Sequence, residues 1–171
     1  MRRSLCLPIV GVLLLVATQS LAAQTSCTGN PCNVTTTATL TVNDLLKLTL
    51  SSTATDLGTP VEADFDAGFK TSSGPTATVK ANRPWHVAVV GTTAAFGYTG
   101  SLIDPVKSAS DLKWGTVAGT YGSDASASAT LSSGNGTSGS SQQIFYKTLL
   151  SFANDRTGSY ALDVKFTLSA P

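Results

Sequence analysis

The last long alternating run constrains the fold more than any other stretch. Tyr160, Leu162, Val164, Phe166 and Leu168 alternate with Ala161, Asp163, Lys165 and Thr167. A period of two lays every second side chain on one face of an extended strand, whereas a helix repeats every 3.6 residues and scatters such a set around its axis. The pattern recurs along the chain. Val34, Ala38, Leu40 and Val42 alternate with threonines, and Leu46, Leu48 and Leu50 follow after the turn-forming pair Asn43-Asp44. Ala77, Val79 and Ala81 form another such face, as do Trp85, Val87 and Val89, and Ile144, Tyr146, Thr148 and Leu150. A shorter alternating run surrounds Trp114.

Between these runs the sequence turns on Gly, Asn, Asp, Ser and Pro. Residues 53–74 carry Gly58, Pro60, Gly68 and Gly74 and read as a loop with one short strand near Phe65–Lys70. Residues 118–141 are rich in Gly, Ser and Ala, which predicts exposed loop, a weak strand over 127–132 and a tight hairpin turn at Asn135-Gly136. Beyond the N-terminal segment no amphipathic helix stands out. Many short strands with such punctuation predict an all-β chain, an antiparallel immunoglobulin-like β-sandwich, with a closed barrel as the alternative architecture.

The N-terminus sets the compartment. Arg2 and Arg3 precede an apolar run from Leu5 to Val16, and Ser20-Leu21-Ala22-Ala23 offers the small residues that a signal peptidase reads. Residues 1–23 therefore read as a cleaved secretory signal peptide, and residues 24–171 as a single domain. No later stretch is apolar for long enough to span a bilayer as a helix. The full chain has 11 Lys+Arg against 10 Asp+Glu, and loss of Arg2 and Arg3 makes the remainder slightly acidic. Only 12% of the residues are charged, about half of the usual quarter. Few and scattered basic residues give no footprint for nucleic acid.

Cys6 falls in the signal, leaving Cys27 and Cys32 around Thr28-Gly29-Asn30-Pro31. In an oxidising compartment this spacing predicts a local disulfide. Zinc would need two further ligands, which one histidine elsewhere does not supply. Lipid attachment at Cys27 is the competing reading, and it would strand Cys32.

The chemistry-bearing residues are sparse. His86, the only histidine, follows Arg83-Pro84-Trp85 in what reads as the start of a core strand. No G-x-S-x-G elbow, S-x-x-K, H-E-x-x-H or glycine-rich phosphate loop occurs. Glu62, Asp64 and Asp66 at alternate positions are a candidate calcium set, set against the solvated face of an edge strand whose inward residues are Val61, Ala63 and Phe65. Tyr98 and Tyr121, in loop-like sequence, are the candidate ligand contacts. Trp85, Trp114, Tyr160 and Phe166 read as core aromatics. No cofactor is implied.

Two stretches carry a family likeness: Arg83-Pro84-Trp85-His86-Val87-Ala88-Val89, and the run from Gly158-Ser159-Tyr160 to Phe166-Thr167-Leu168. Across residues 76–90 and 142–171 the chain resembles secreted bacterial surface β-sandwich proteins, of the WxL type and of the pilin-like and spore-coat-like types. Val87 stands where the WxL pattern has its first leucine, and Phe166 where it has its second tryptophan. The resemblance implies an exported, non-enzymatic domain that assembles on or binds to a cell surface, its partner a surface protein, a glycan or further copies of itself. The expected function is thus a secreted or surface-displayed structural or adhesive protein of a bacterial envelope. A carbohydrate-binding module is the first alternative and a hydrolase the second.

Overall fold

The structure, a computed structural model, describes residues 26–171. The signal-peptide reading of residues 1–23 lies outside them. The chain divides into two units, one ending at Thr41 and one spanning Val42–Pro171. In the first, Cys27 and Cys32 are joined by a disulfide with their Cα atoms 5.7 Å apart. Residues 33–41 are exposed and belong to no strand.

The absence of a strand at Val34–Val42 corrects the sequence reading. Val34, Leu40 and Val42 are 53%, 85% and 70% exposed, and no ladder includes any of them. Alternation specifies which face a strand would bury, but a strand forms only where an edge is available to pair with it. Residues 34–42 have the alternation and pair with no strand among the described residues.

The second unit is predominantly β, and all of its strand pairs are antiparallel. β1 (Leu46–Leu50), β2 (Phe69–Ala81), β8 (Thr137–Leu149), β5 (Leu112–Gly115) and β6 (Ser123–Asp124) form one sheet in the order β1-β2-β8-β5-β6. A second sheet has the order β10-β3-β7, from Val164–Ser169, Trp85–Gly91 and Ala129–Gly134. β4 (Gly97–Thr99) and β9 (Ser159–Ala161) make a short ribbon. Both larger sheets feed one buried cluster: Ala77 and Val79 of β2, Ile144 and Tyr146 of β8, and Leu112 and Trp114 of β5 join Trp85, Val87 and Val89 of β3. These are the faces that the alternation singles out, so the pleat carried the sequence pattern directly into the core.

Three elements differ from expectation. Glu62–Ala67 is not an edge strand but a short helix, α1. The Asp64 carboxylate accepts the Val61 N–H at 2.9 Å at the helix start, and Gly68, at φ 76°, closes it in the left-handed conformation. Two turns are too few for a 3.6-residue period to be visible. The expected strands near residues 65–70 and 75–82 are one strand, β2, whose pairing with β8 shifts between Ser73 and Thr76. Gly74-Pro75 sits in that irregularity, where proline loses no ladder bond, and a Cβ on Gly74 would collide with the Tyr146 ring. Residues 118–141 hold β6, the start of β8 and β7, which overlaps the expected strand at 127–132, rather than mostly exposed loop. Asn135-Gly136 joins strands of different sheets, so it is a corner and not a hairpin turn.

Candidate functional site

Among the described residues the second unit carries a cleft of about 1020 Å³. Leu50 closes β1 on one side, and Val164 and Phe166 begin β10 on the other. Leu112, Tyr146 and Thr148, from β5 and β8, also line it. β1 and β10 each form one edge of their sheet, β6 and β7 forming the other edges. β1 pairs only with β2 and β10 only with β3, and among the described residues neither outer edge carries a strand.

The incomplete burial of the core-facing residues follows from this. Leu46, Leu48 and Leu50 of β1, and Val164, Phe166 and Leu168 of β10, all sit on the inward side of their strands, yet each is only partly buried. Their counterparts on β2, β3 and β8 are buried almost completely. The fold therefore leaves apolar faces uncovered along one seam, beside two rows of unpaired backbone groups, which is the environment that an added strand satisfies.

Tyr146 reaches the cleft from β8, and burial pushes its phenol up to about 12. The folded chain therefore holds this proton more tightly than an unfolded one, in which a tyrosine ionises near 10. Its contribution is intact below pH 10 and is lost as the pH rises from about 10 towards 12, by about 2–3 kcal/mol. A melting-temperature profile is expected to fall across that window, and a Tyr146→Phe protein to fall less. Equal slopes would remove Tyr146 as the cause.

A buried ion pair anchors one wall. The Lys107 Nζ donates to the Leu149 carbonyl and to Asp155, both at 2.7 Å, and lies 3.7 Å from Asp111. The second Asp155 oxygen accepts the Ser151 N–H at 2.8 Å. The set pins the chain after β8 against Lys107. Nearby, the Tyr160 hydroxyl accepts the Arg156 N–H at 2.7 Å and donates to the Arg156 carbonyl at 2.8 Å, and burial, ahead of the other influences, raises its pKa.

The residues singled out in the sequence fall in separate places. In α1 the Asp64 carboxylate is held by Lys70 at 2.8 Å, which, with the Val61 N–H, keeps it below the usual carboxylate range. Glu62, Asp64 and Asp66 project at helical rather than strand spacing, and among the described residues no three His, Cys, Asp or Glu side chains converge on a metal-sized site. Tyr98 lies in β4 rather than a loop. Its hydroxyl donates to Thr157 at 2.6 Å and its ring packs on Tyr160 at 5.2 Å, so it serves the β4–β9 ribbon. Tyr121 is half-buried between β5 and β6. His86 Nε2 lies 3.0 Å from the Ser169 hydroxyl, and its cross-strand partners are Ser169 and Ser133. Trp85 and Trp114 are buried as expected, whereas Tyr160 and Phe166 are only half-buried and line the cleft.

Sequence reasoning identified the cleft residues as core, because alternation reports the side of a strand and not the completeness of its cover. It missed Lys107 and Asp155, whose pairing joins residues far apart in the chain. No family model, curated protein or solved structure matches this chain.

Proposed function

We propose that this chain is a secreted or cell-surface, non-enzymatic structural or adhesive subunit of a bacterial envelope, and that its fold is an immunoglobulin-like β-sandwich completed by an added strand. The open seam between β1 and β10 carries this reading. In the immunoglobulin arrangement one sheet runs A-B-E-D and the other C-F-G. The order β1-β2-β8-β5 follows the first, and the β3–β10 pair follows C and F. Trp85 on β3 corresponds to the buried tryptophan of strand C. Tyr160, bonded back to Arg156 just before β10, corresponds to the tyrosine corner at the entry to strand F. The remaining position, G, lies along the outer edge of β10.

An extended segment added to a sheet edge gains main-chain hydrogen bonds, while alternate side chains fill pockets that set specificity. The half-buried Val164, Phe166 and Leu168, together with Leu46, Leu48 and Leu50, offer such a floor. Among the described residues, Val34–Val42 is a strand-patterned segment outside the sheets. At about 3.3 Å per residue it spans roughly 30 Å, more than the roughly 20 Å of β10.

The test uses a full chain carrying Leu40→Asp, which places a charge on its own segment's apolar face while leaving the cleft intact. A peptide of residues 33–43 with the natural sequence is expected to raise the melting temperature of this protein, by about 2.7 kcal/mol of stabilisation at a hundred times its Kd. The same peptide carrying Leu40→Asp is expected to give no shift. Equal effects of the two peptides, or none from either, would remove the strand-accepting reading.

A further inference from the structure

Lysines that are scattered in the sequence meet on the outer face of the five-stranded sheet. Side chains alternate across a strand, so the residues between the core positions of β1, β2, β8 and β5 point away from the core. There Lys47 of β1 stands directly opposite Lys80 of β2, and Lys147 of β8 directly opposite Lys113 of β5. Such opposed side chains have Cβ atoms about 4.5–5.5 Å apart, where like charges are destabilising. The fold carries that repulsion twice. Asp124 of β6 is the one carboxylate on the strands of this sheet, and Lys113 engages it at 3.1 Å. Asp44, just before β1, is taken up by Arg83. Among the described residues Lys47, Lys80 and Lys147 make no ion pair, and Lys47 and Lys80 are exposed.

Resting on the surface-adhesive reading, we infer that this face binds a linear polysaccharide bearing carboxylates, whose charges answer the opposed lysines. The two lysine pairs lie towards opposite ends of the face. Lys147 is level with Thr71 on β2, and the run from Thr71 to Lys80 spans roughly 25–30 Å. Between them Thr71, Ser73, Thr76 and Thr78 of β2 and Ser141 and Gln143 of β8 occupy outward positions, with the Thr78 and Ser141 hydroxyls 2.8 Å apart. Hydroxyls and a side-chain amide both donate and accept hydrogen bonds, which is the complement of a sugar hydroxyl. A nucleic-acid duplex carries one charge per roughly 1.7 Å and is matched by a dense basic patch, which two separated pairs do not form. A bilayer is matched by apolar side chains that insert into it. Here Phe69, Phe145 and Leu149 are half-buried, and the Lys147 amine lies 4.0 Å from the Phe69 ring centroid. Sparse charge joined by a hydroxyl track fits an extended chain of sugars. The cleft lies on the other side of this sheet, so glycan binding and strand acceptance fail separately.

The full chain is titrated calorimetrically with hyaluronate, which has a carboxylate on alternate sugars, and with polygalacturonate, which has one on every sugar. Low ionic strength leaves exposed charges least screened. Binding of at least one polymer is expected, and none of its methyl ester. Lys80→Gln and Lys147→Gln are each expected to weaken binding about fivefold, the effect of one charge contact at about 4 Å in water. Lys165→Gln removes an equal charge from β10 of the other sheet and is expected to leave binding unchanged. Binding of neither polymer, equal binding of the ester, or equal weakening by Lys165→Gln would overturn the proposal and leave the strand-accepting cleft standing. Equal or tighter binding of poly(dT), or of phosphatidylglycerol vesicles, would overturn the polysaccharide in favour of that other polyanion. Melting temperatures without polymer verify folding and also read the repulsion. Lys80→Gln is expected to melt at or above the parent, and a lower value would overturn the claim that Lys47 and Lys80 oppose each other at a cost.

Discussion

Replacing Trp85 by alanine is expected to lower stability by about 3–5 kcal/mol, the usual range for deleting a large buried aromatic. Trp85 begins β3, is buried to 3% exposure and shares the cluster that both larger sheets feed. Its indole N–H donates to the Asn135 carbonyl at 2.6 Å, so it also holds the corner where the chain passes from β7 to β8. A Cβ on Gly134 would come within 3.2 Å of the same ring, which shows how closely the corner lies over it. Alanine therefore removes the ring, opens a cavity and strips a carbonyl of its donor. Phenylalanine restores most of the apolar volume and loses the hydrogen bond, at a cost nearer 1–3 kcal/mol. Chemical denaturation of the two variants separates these contributions. A Trp85→Ala protein with parental stability would show that the ring is not structural and would reopen its reading as a ligand platform.

Lys107→Ala is expected to cost a comparable 3–5 kcal/mol, for a different reason. The Lys107 and Asp155 side chains are 5% and 9% exposed, and removing one partner leaves the other without its counter-charge in a poorly hydrated place. The Leu149 carbonyl loses a donor at the same time. A Lys107→Met, Asp155→Leu double variant is expected to recover much of the loss, since a buried pair replaced by apolar groups is often close to neutral. A double-mutant cycle measures the coupling. If Lys107→Ala and the double variant were equally unstable, the lost hydrogen bonds to the Leu149 carbonyl and the Ser151 N–H, and not the unpaired Asp155, would be the cause.

The Arg83-Pro84-Trp85-His86 stretch shows how one sequence motif divides among tasks. Pro84 falls between β2 and β3, where no ladder bond is lost. Trp85 goes to the core, His86 to a cross-strand contact with Ser169, and Arg83 to Asp44. Only the first two placements were legible in the sequence, from proline chemistry and alternation. The Arg83–Asp44 pair joins the β2–β3 corner to the chain just before β1 and has no local signature. Asn82 is similar: it reads as a strand end, and its role in holding Asn43 and Leu45 emerges only when β1 is set beside β2.

The sequence by itself determined that the chain is built of antiparallel strands, and which residue of each pair faces inward. Both follow from side-chain period, a local property of an extended backbone. It likewise placed the disulfide, whose two cysteines lie within one short loop. The tertiary structure decided which strands are neighbours, how far each inward face is covered, and which patterned segment finds no partner. Val34–Val42 and Ala77–Ala81 carry equally good alternation, yet one stands exposed and the other lies in the core. The difference is that Ala77–Ala81 pairs with β1 and β8 and packs into the core, whereas Val34–Val42 pairs with no strand among the described residues, and those partners are supplied by residues distant in sequence.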